Sequence, residues 1–158
     1  QLGQGNTVTL GDNELPKLVP AVDLGADAVA VTAGESHTCA LTTAGKVRCW
    51  GRSNVGQLGY GSVSSIGDNE KPAVAGDVDL GGGLVKQISA GRDHTCALMQ
   101  TGAVRCWGAA TYGQTGYSNT VTIGDNELAA ASGEVKLDAM NLKATQIAAS
   151  EYFTCALL

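Results

Sequence analysis

Short runs of alternating apolar and polar residues recur along this chain. Val29-Ala30-Val31 and Val85-Lys86-Gln87-Ile88 alternate with a period of two, as half-buried β-strands do. No stretch repeats its apolar residues with the period of a helix. Short strands separated by glycine-rich turns are typical of a sandwich, a barrel or a propeller, so the pattern predicts an all-β fold.

The predicted extended segments fall into groups of three that occupy equivalent places along the chain. The first group is followed by a Gly-Asp-Asn turn signal and comprises Thr7–Leu10, Val63–Ile66 and Thr120–Ile123. The second group is less regular and comprises Val19–Leu24, Val74–Leu80 and Glu134–Leu142. The third group comprises Ala28–Ala33, Val85–Ala90 and Thr145–Ala149. After each segment of the third group, two further strands are predicted as the arms of a hairpin.

Four motifs recur in the same order and at nearly the same spacing, so the chain repeats one unit. The Gly-Asp-Asn-Glu tetrapeptide occurs at 11–14, 67–70 and 124–127, with offsets of 56 and 57 residues. We predict one repeat region over 1–158, with copies near 1–56, 57–113 and 114–158, the third of them incomplete. A period in the fifties with about four strands per copy predicts a β-propeller, here with about three four-stranded antiparallel blades.

The first four cysteines form two pairs with a spacing of ten, Cys39 with Cys49 and Cys96 with Cys106. If the first pair face each other across a hairpin, Leu41 faces Val47, and three residues ending in Gly45 remain for the loop. That loop matches a type I turn with a G1 bulge. The cysteines then meet at a non-hydrogen-bonded position, where side chains are closest, so a disulfide is predicted in each hairpin. Free thiols, or a metal site formed with His37 and His94, are the alternatives.

Cys155 has no partner at this spacing, because that partner is expected near position 165, beyond Leu158. Gln1 falls in the middle of a repeated motif. We therefore expect the sequence to be cut at both ends, with the return strand of the third hairpin outside it. An intermolecular bridge is the alternative for Cys155. Disulfides would place the protein outside the cell, on its surface or in the periplasm.

Two successive sets of three segments resemble the regulator-of-chromosome-condensation repeat. The first set is Ala33–Leu41, Gly45–Gly51 and Gly56–Gly59, and the second is Ala90–Leu98, Gly102–Gly108 and Gly113–Gly116. Ile66–Glu70 is similar to a variant found in secreted bacterial members. The resemblance implies a propeller of seven blades, of which this chain would form an arc. Ser150–Phe153 replaces the Gly-x-x-His element in the third copy, so that loop is expected to differ.

Charge and chemistry narrow the functional classes. The net charge is −5 and the positive residues are scattered singly, which argues against nucleic-acid binding. No run of 18 apolar residues occurs, so no membrane span is predicted.

His37 and His94 recur at one position per repeat, as structural residues do. No catalytic triad or phosphate loop is found, so no catalytic residue, cofactor or metal is predicted, with calcium at the Asp-Asn-Glu turns as the alternative.

Aromatic residues recur near the ends of the hairpins. Trp50 and Trp107 follow the second cysteine of each pair and are predicted to pack between blades. Tyr60, Tyr112 and Tyr117 lie near the Gly-Gln-x-Gly turn. Either packing between blades or exposed contact would explain these tyrosines.

The loop before each histidine position carries different residues in each of the three repeats. Equivalent loops of a propeller gather on one face, and loop residues free of framework duty commonly carry binding. The predicted partner-binding residues are therefore Glu35, Ser36, Arg92, Asp93, Glu151 and Tyr152.

These observations predict a non-enzymatic protein-binding or structural scaffold module of a secreted or surface protein. Its partner would be another protein or further copies of itself. Guanine-nucleotide exchange on a small GTPase, as in the founder of the resembled family, is the first alternative. A glycan-acting hydrolase is the second, and it would need facing carboxylates on one rim, with Glu35, Asp93 and Glu151 as candidates.

Overall fold

The computed structural model describes residues 2–13, 15–137 and 142–158, in which the regular elements are eight strands and three short 3-10 helices. The first antiparallel sheet consists of β1 (Ala28–Ala33), β2 (His37–Thr42) and β3 (Val47–Gly51). The second consists of β4 (Val85–Ala90), β5 (His94–Met99) and β6 (Val104–Gly108). The third consists of β7 (Gln146–Ala149) and β8 (Thr154–Leu157). The prediction of an all-β fold is confirmed.

The two complete hairpins have the register that the cysteine spacing predicted. Cys39 pairs with Cys49, and the loop is closed by a hydrogen bond of 2.9 Å from the N–H of Gly45 to the carbonyl of Thr42. Gly45 has a φ of 69°, in the left-handed region that glycine adopts without steric cost. The second hairpin repeats this turn, with Gly102 at a φ of 81°. Turn chemistry and cysteine spacing therefore specify the same pairing.

Each of the first two sheets has three strands rather than the predicted four. The predicted extended segment Val63–Ile66, which would add a fourth strand to the first sheet, meets β3 only at Ile66, which exchanges backbone hydrogen bonds of 2.7 and 3.0 Å with Gly51. Ile123 and Gly108 form the same single bridge in the second sheet. The chain turns away directly after Ile66, because Gly67 has a φ of 93°. The fourth strand is thus reduced to one paired residue.

Three other predicted extended segments contain no strand, namely Thr7–Leu10, Val19–Leu24 and Val74–Leu80. A 3-10 helix, Pro72–Val74, begins the last of these, and the N–H of Val78 then makes a hydrogen bond of 2.8 Å to Val47. Gly76 and Gly81, both with positive φ, interrupt an extended backbone on either side. Of the predicted segment Glu134–Leu142, residues 134–137 contain no strand, and residues 138–141 lie outside the described residues.

Consecutive sheets pack face to face through repeated contacts. Ile88 of β4 packs in a buried cluster with the disulfide hairpin of the first sheet. Ile147 of β7 packs in the same way with the hairpin of the second sheet. The N–H of Ala90 donates to the Oγ1 of Thr32 at 3.0 Å, and an equivalent bond of 2.8 Å joins the third sheet to the second. Each sheet is therefore one blade of an arc, and both interfaces use the same geometry.

Candidate functional site

The loops between the first two strands of each blade share one turn. The N–H of Gly34 donates to the carbonyl of His37 at 2.9 Å, and Gly91 and His94 form the same bond at 2.9 Å. The third blade keeps this turn at 2.8 Å, although Ser150 replaces the glycine there. The expected difference in the third loop therefore lies in its side chains, not in its backbone. Each turn places the two residues at its tip on the same face of the arc.

The tips of neighbouring loops are joined by their backbones. The N–H of Glu35 donates to the carbonyl of Arg92 at 3.0 Å, and the N–H of Arg92 donates to the carbonyl of Glu151 at 3.3 Å. Residues that are 57 and 59 positions apart in sequence thus become neighbours in space. The sequence-predicted loop residues consequently form one continuous surface.

The side chain of Arg92 lies at the centre of this surface. Its Nε donates to Glu35 at 2.8 Å and its Nη1 donates to Glu151 at 3.1 Å. Asp93 lies 3.4 Å from the same Nε. The hydrogen bonds to Glu151 and Glu35 raise the pKa of Arg92 above its ordinary value. Three carboxylates share one guanidinium, so this surface carries an excess of negative charge.

Two exposed tyrosines extend the surface beside Arg92. The hydroxyl of Tyr152 accepts a hydrogen bond from the Nη1 of Arg92, whose guanidinium carbon lies 5.7 Å from the centre of the ring. The ring of Tyr112 meets that of Tyr152 edge-on, with centroids 4.8 Å apart. Tyr112 is 69% exposed, so its contact area is open to a partner. We call Glu35, Arg92, Tyr112, Glu151 and Tyr152 the rim cluster.

Ser36 and Asp93 differ from the rim cluster because their backbones belong to the framework. The carbonyl of Ser36 accepts a hydrogen bond of 2.8 Å from the N–H of Arg52, and the carbonyl of Asp93 accepts one of 2.8 Å from Ala109. The carboxylate of Asp93 also accepts a bond of 3.4 Å from the side chain of Gln57. These two positions hold the loops in place, and their side chains flank the cluster.

The structure separates the three tyrosines that the sequence left undecided. The hydroxyls of Tyr60 and Tyr117 accept the N–H groups of Cys49 and Cys106 at 3.1 and 3.2 Å, so these rings pack inside the blades. Tyr112 alone of the three is exposed, and sequence reasoning did not assign it to the binding surface. The signal was the difference between repeats, since Val55 occupies the equivalent place in the preceding repeat. The N–H of Val55 donates to the side chain of Gln57, as the N–H of Tyr112 donates to that of Gln114.

The histidines lie beneath the loops and bridge the blades. The Nε2 of His37 is 2.8 Å from the Oγ1 of Thr95, and the Nε2 of His94 is 2.9 Å from the Oγ1 of Thr154. Burial, helped by the nearby charge of His94, lowers the pKa of His37 to about 4. Burial also lowers the pKa of His94 to about 4. Both imidazoles are therefore neutral near pH 7 and serve as structural hydrogen-bonding groups.

The cysteine pairs and the Gly-Asp-Asn-Glu turns stabilise the fold. Both hairpin pairs of cysteines are joined as disulfides, with Cα atoms 4.1 Å apart in each. Within the described ranges, no three His, Cys, Asp or Glu side chains are grouped as metal ligands. The carboxylates of Glu70 and Glu127 accept the N–H groups of Gly67 and Gly124 at 3.3 and 3.1 Å. The glutamate of the Gly-Asp-Asn-Glu motif therefore closes its own turn.

Known families account for this pattern of hairpins and loops. Two profiles described as the regulator of chromosome condensation (RCC1) repeat match the chain, one over residues 28–57 and 85–114 and the other over residues 44–98. Together they cover residues 28–114 without a gap, which is more than half of the chain. The chain belongs to the regulator of chromosome condensation repeat family. The resemblance predicted from the sequence is confirmed.

Curated relatives share this repeat within much longer proteins. The ultraviolet-B receptor UVR8 of Arabidopsis thaliana is 36% identical over 87 residues, which are 54% of this chain and 18% of the receptor. The probable E3 ubiquitin-protein ligase HERC4 of Rattus norvegicus is 35% identical over 120 residues, which are 76% of this chain and 11% of the ligase. The chain thus spans less than a fifth of the length of these relatives.

Solved structures of the family share the fold. Human WBSCR16 superposes with a TM-score of 0.72 at 24% identity, over 99% of this chain and 37% of that protein. Prp20p of Saccharomyces cerevisiae superposes with a TM-score of 0.66 at 17% identity, over 99% of this chain and 37% of that protein. The predicted fold class is confirmed, with three strands per blade instead of four in the first two blades. No helix within the described residues has the length and apolar character needed to span a membrane.

Proposed function

We propose that this chain is a non-enzymatic protein-binding module of a secreted or surface-exposed protein and that the rim cluster contacts its partner. One observation carries the proposal. The three loops whose tip residues differ between the repeats converge on one exposed surface, whereas the turns beneath them are the same in every blade. Variable loops on a repeated framework are the arrangement in which binding residues are expected.

The composition of the rim cluster supports this role. Tyrosine and arginine are enriched at protein interfaces, and Tyr112 and Tyr152 offer two rings at one edge of the surface. Arg92 is held in one position by two carboxylates, so little conformational entropy is lost when a partner orders it. The side chains of Glu35 and Glu151 are 52% and 58% exposed, which leaves their oxygens available to a partner.

The proposed location outside the cell is supported by the disulfides. Two of the three blades carry a disulfide across a hairpin. Stable disulfides form and persist in oxidising compartments, and they are rare where glutathione keeps thiols reduced. The same reasoning applies to the periplasm and to the cell surface.

Binders selected without reference to the rim cluster test the proposal. A displayed peptide library is panned on the wild-type chain, and the affinity of each binder is then measured by calorimetry. Tyr112→Ser combined with Tyr152→Ser removes the aromatic part of the rim. Leu18→Ser combined with Val74→Ser is the matched control, because these side chains are 70% and 77% exposed and end two of the 3-10 helices.

We expect most binders to lose about ten-fold or more in affinity for the rim variant and to bind the control variant as they bind the wild type. Binders that have the same affinity for the rim variant as for the wild type would contradict the proposal.

Self-association is a structural form of the same function. Native mass measurement decides it, because a species of 16.0 kDa at every concentration would leave only a different protein as the partner.

Guanine-nucleotide exchange is the second candidate function. Prp20p has binding properties toward Gsp1p and histones, and the present chain shares the fold of that protein. The test is the release of a fluorescent GDP analogue from a purified small GTPase with and without this chain. Under our proposal the release rate does not change, and an acceleration would replace the binding-only function with exchange.

A glycan-acting hydrolase is a weaker candidate on this geometry. Such enzymes need one carboxyl group that is protonated and donates a proton to the leaving oxygen. Glu35 and Glu151 instead both accept hydrogen bonds from the guanidinium of Arg92. The cation therefore occupies the place between them where a sugar would lie. We accordingly include no hydrolase activity in the proposed function.

A further inference from the structure

The rim cluster already holds one guanidinium, which belongs to the chain itself. The Nε of Arg92 donates to Glu35 at 2.8 Å, and its Nη1 donates to Glu151 at 3.1 Å. The same guanidinium bonds the hydroxyl of Tyr152 and lies 5.7 Å from the centre of that ring. Carboxylates from two blades and an aromatic ring thus surround a guanidinium from the blade between them. These contacts show the chemistry that this surface accommodates.

The bonds to Arg92 leave the surface with an excess of negative charge. Glu35, Asp93 and Glu151 supply three carboxylates against one guanidinium, so two negative charges are not balanced. A carboxylate has about four lone-pair positions, and each bond to Arg92 occupies one of them. The side chains of Glu35 and Glu151 are more than half exposed, so they keep acceptor capacity toward solvent.

Other cations of the chain do not offset this excess. Lys46 and Lys86 donate to backbone carbonyls at the opposite ends of the strands. Arg52 lies nearer to the rim, but it lines a groove together with Asp68, whose charge offsets its own. Complementary interfaces place a positive patch against a negative one. The rim cluster is therefore complementary to a partner that carries positive charge.

An exposed aromatic ring lies beside the carboxylates. Tyr112 is 69% exposed, and its ring meets that of Tyr152 edge-on with centroids 4.8 Å apart. The N–H of Tyr112 donates to the side chain of Gln114 at 2.8 Å, so the loop that carries the ring is held in place. Arg92 lies over Tyr152, whereas no cation of the described residues lies over Tyr112. The ring of Tyr112 is therefore available to a cation of a partner.

We propose that the partner of the rim cluster is a basic protein segment, in which an arginine stacks on Tyr112 and donates to a rim carboxylate. The inference rests on the proposed function, because it names the chemistry of the partner that the same surface binds. Arginine suits this surface better than lysine, because its planar guanidinium stacks on an aromatic ring and donates two parallel hydrogen bonds to a carboxylate. The contact repeats, between two molecules, the one that Arg92 makes with Tyr152 and Glu151.

Charge complementarity determines how the binding depends on salt. Interactions between exposed charges are screened beyond about 8 Å at 0.15 M ionic strength and beyond about 3 Å at 1 M. The affinity for a basic segment should therefore decrease as salt is added. An apolar contact with the two tyrosine rings alone would not weaken in this way.

The test measures the binding of three synthetic peptides to the intact chain by fluorescence anisotropy. The peptides are four repeats of Gly-Arg-Ser, of Gly-Lys-Ser and of Gly-Glu-Ser, so they differ only in the charged residue. We expect the arginine peptide to bind about three-fold more tightly than the lysine peptide and at least about ten-fold more tightly than the glutamate peptide. Raising the ionic strength from about 0.05 M to about 0.5 M should weaken its binding about ten-fold.

Variants of the rim assign the binding to its residues. Glu35→Gln combined with Glu151→Gln should weaken binding of the arginine peptide about ten-fold. Asp27→Asn combined with Glu134→Gln is the matched control, because these exposed residues lie beside the hairpin loops and the net charge changes equally. The control should keep the wild-type affinity. Tyr112→Ser should weaken binding about three-fold, and Tyr112→Phe should retain it because the ring remains.

Equal affinity for the arginine and glutamate peptides, or no binding of the arginine peptide at about 1 mM, would overturn the inference. An equal loss in the control pair would also overturn it, because net charge and not the rim would then account for the binding. The binders selected from the displayed library separate this inference from the proposed function. An excess of arginine in rim-dependent binders supports both. Rim-dependent binders without that excess would overturn the basic partner and leave the proposed function standing.

Discussion

The Nε2 of His37 lies 2.8 Å from the Oγ1 of Thr95, which places a buried hydrogen bond between two consecutive blades. The hydroxyl of Thr95 donates its single proton to the carbonyl of Gln57, so His37 donates from Nε2 as a neutral imidazole. His94 and Thr154 repeat the contact at 2.9 Å. Each blade is therefore tied to the next by a polar bridge inside an apolar interface.

Two threonines with opposite bonding states give a matched prediction. Thr95→Val removes the hydroxyl that bonds the buried Nε2 of His37, whereas the carbonyl of Gln57 keeps its bond from the indole N–H of Trp107. The unsatisfied imidazole should lower the free energy of unfolding by about 2 kcal/mol. Thr115→Val removes a buried hydroxyl without a partner in the described chain and should raise it by about 1 kcal/mol. Urea denaturation measures both. Equal losses of stability would contradict the assignment of the bridge.

The stability of the fold should depend on pH through the two buried histidines. Burial lowers the pKa of His37 and of His94 from 6.5 to about 4, so below pH 6.5 the unfolded chain binds protons that the folded chain does not. The free energy of unfolding is therefore highest above pH 6.5 and decreases as the pH falls toward 4. The loss is on the order of 3 kcal/mol for each histidine.

Urea denaturation between pH 7 and about pH 4.5 measures this decrease in stability, and the Hε1 resonances report each pKa directly. The variant that combines His37→Gln and His94→Gln is the control, because it removes the contribution of the imidazoles and leaves that of the carboxylates. Histidine resonances that titrate near 6.5 in the folded protein would refute the prediction.

Gly91 should resist substitution for reasons of space. A Cβ on this residue would lie 2.0 Å from the Cε1 of His94 and 2.3 Å from the carbonyl oxygen of Ser150. Gly91→Ala should therefore destabilise the fold by about 3 kcal/mol or more. Gly113→Ala is the control, because nothing lies within 4 Å of its Cβ and only its φ of 74° is unfavourable. Thermal unfolding should show a loss of about 1 kcal/mol for the control.

The thiols of the chain should react in two stages. Alkylation of the folded protein should add one group, at Cys155, and alkylation after reduction and unfolding should add five. Intact mass measures both numbers. Reduction of the disulfides should lower the free energy of unfolding by about 2 to 3 kcal/mol for each one, because the unfolded hairpin gains conformational entropy. Five groups added before reduction would contradict both the disulfides and the proposed location.

The convergence of the loops could be predicted from the sequence only in part. Equivalent loops of a repeat gather on one face, so the neighbourhood of Glu35, Arg92 and Glu151 followed from the period. The shared guanidinium did not follow, because it depends on the rotation between blades and on side-chain reach. Tyr112 was not assigned to this surface for the same reason, since its ring meets Tyr152 from a different loop.

The repeat, the all-β class, the hairpin register and the pairing of the first four cysteines follow from the sequence alone. These features depend on turns and on partners ten residues apart, so local chemistry decides them. The tertiary structure was needed to show that the fourth strand shrinks to Ile66 and Ile123 and that the histidines bridge consecutive blades. These features depend on contacts between residues more than thirty positions apart or on where glycines turn the backbone away, and a pattern of apolar and polar positions specifies neither.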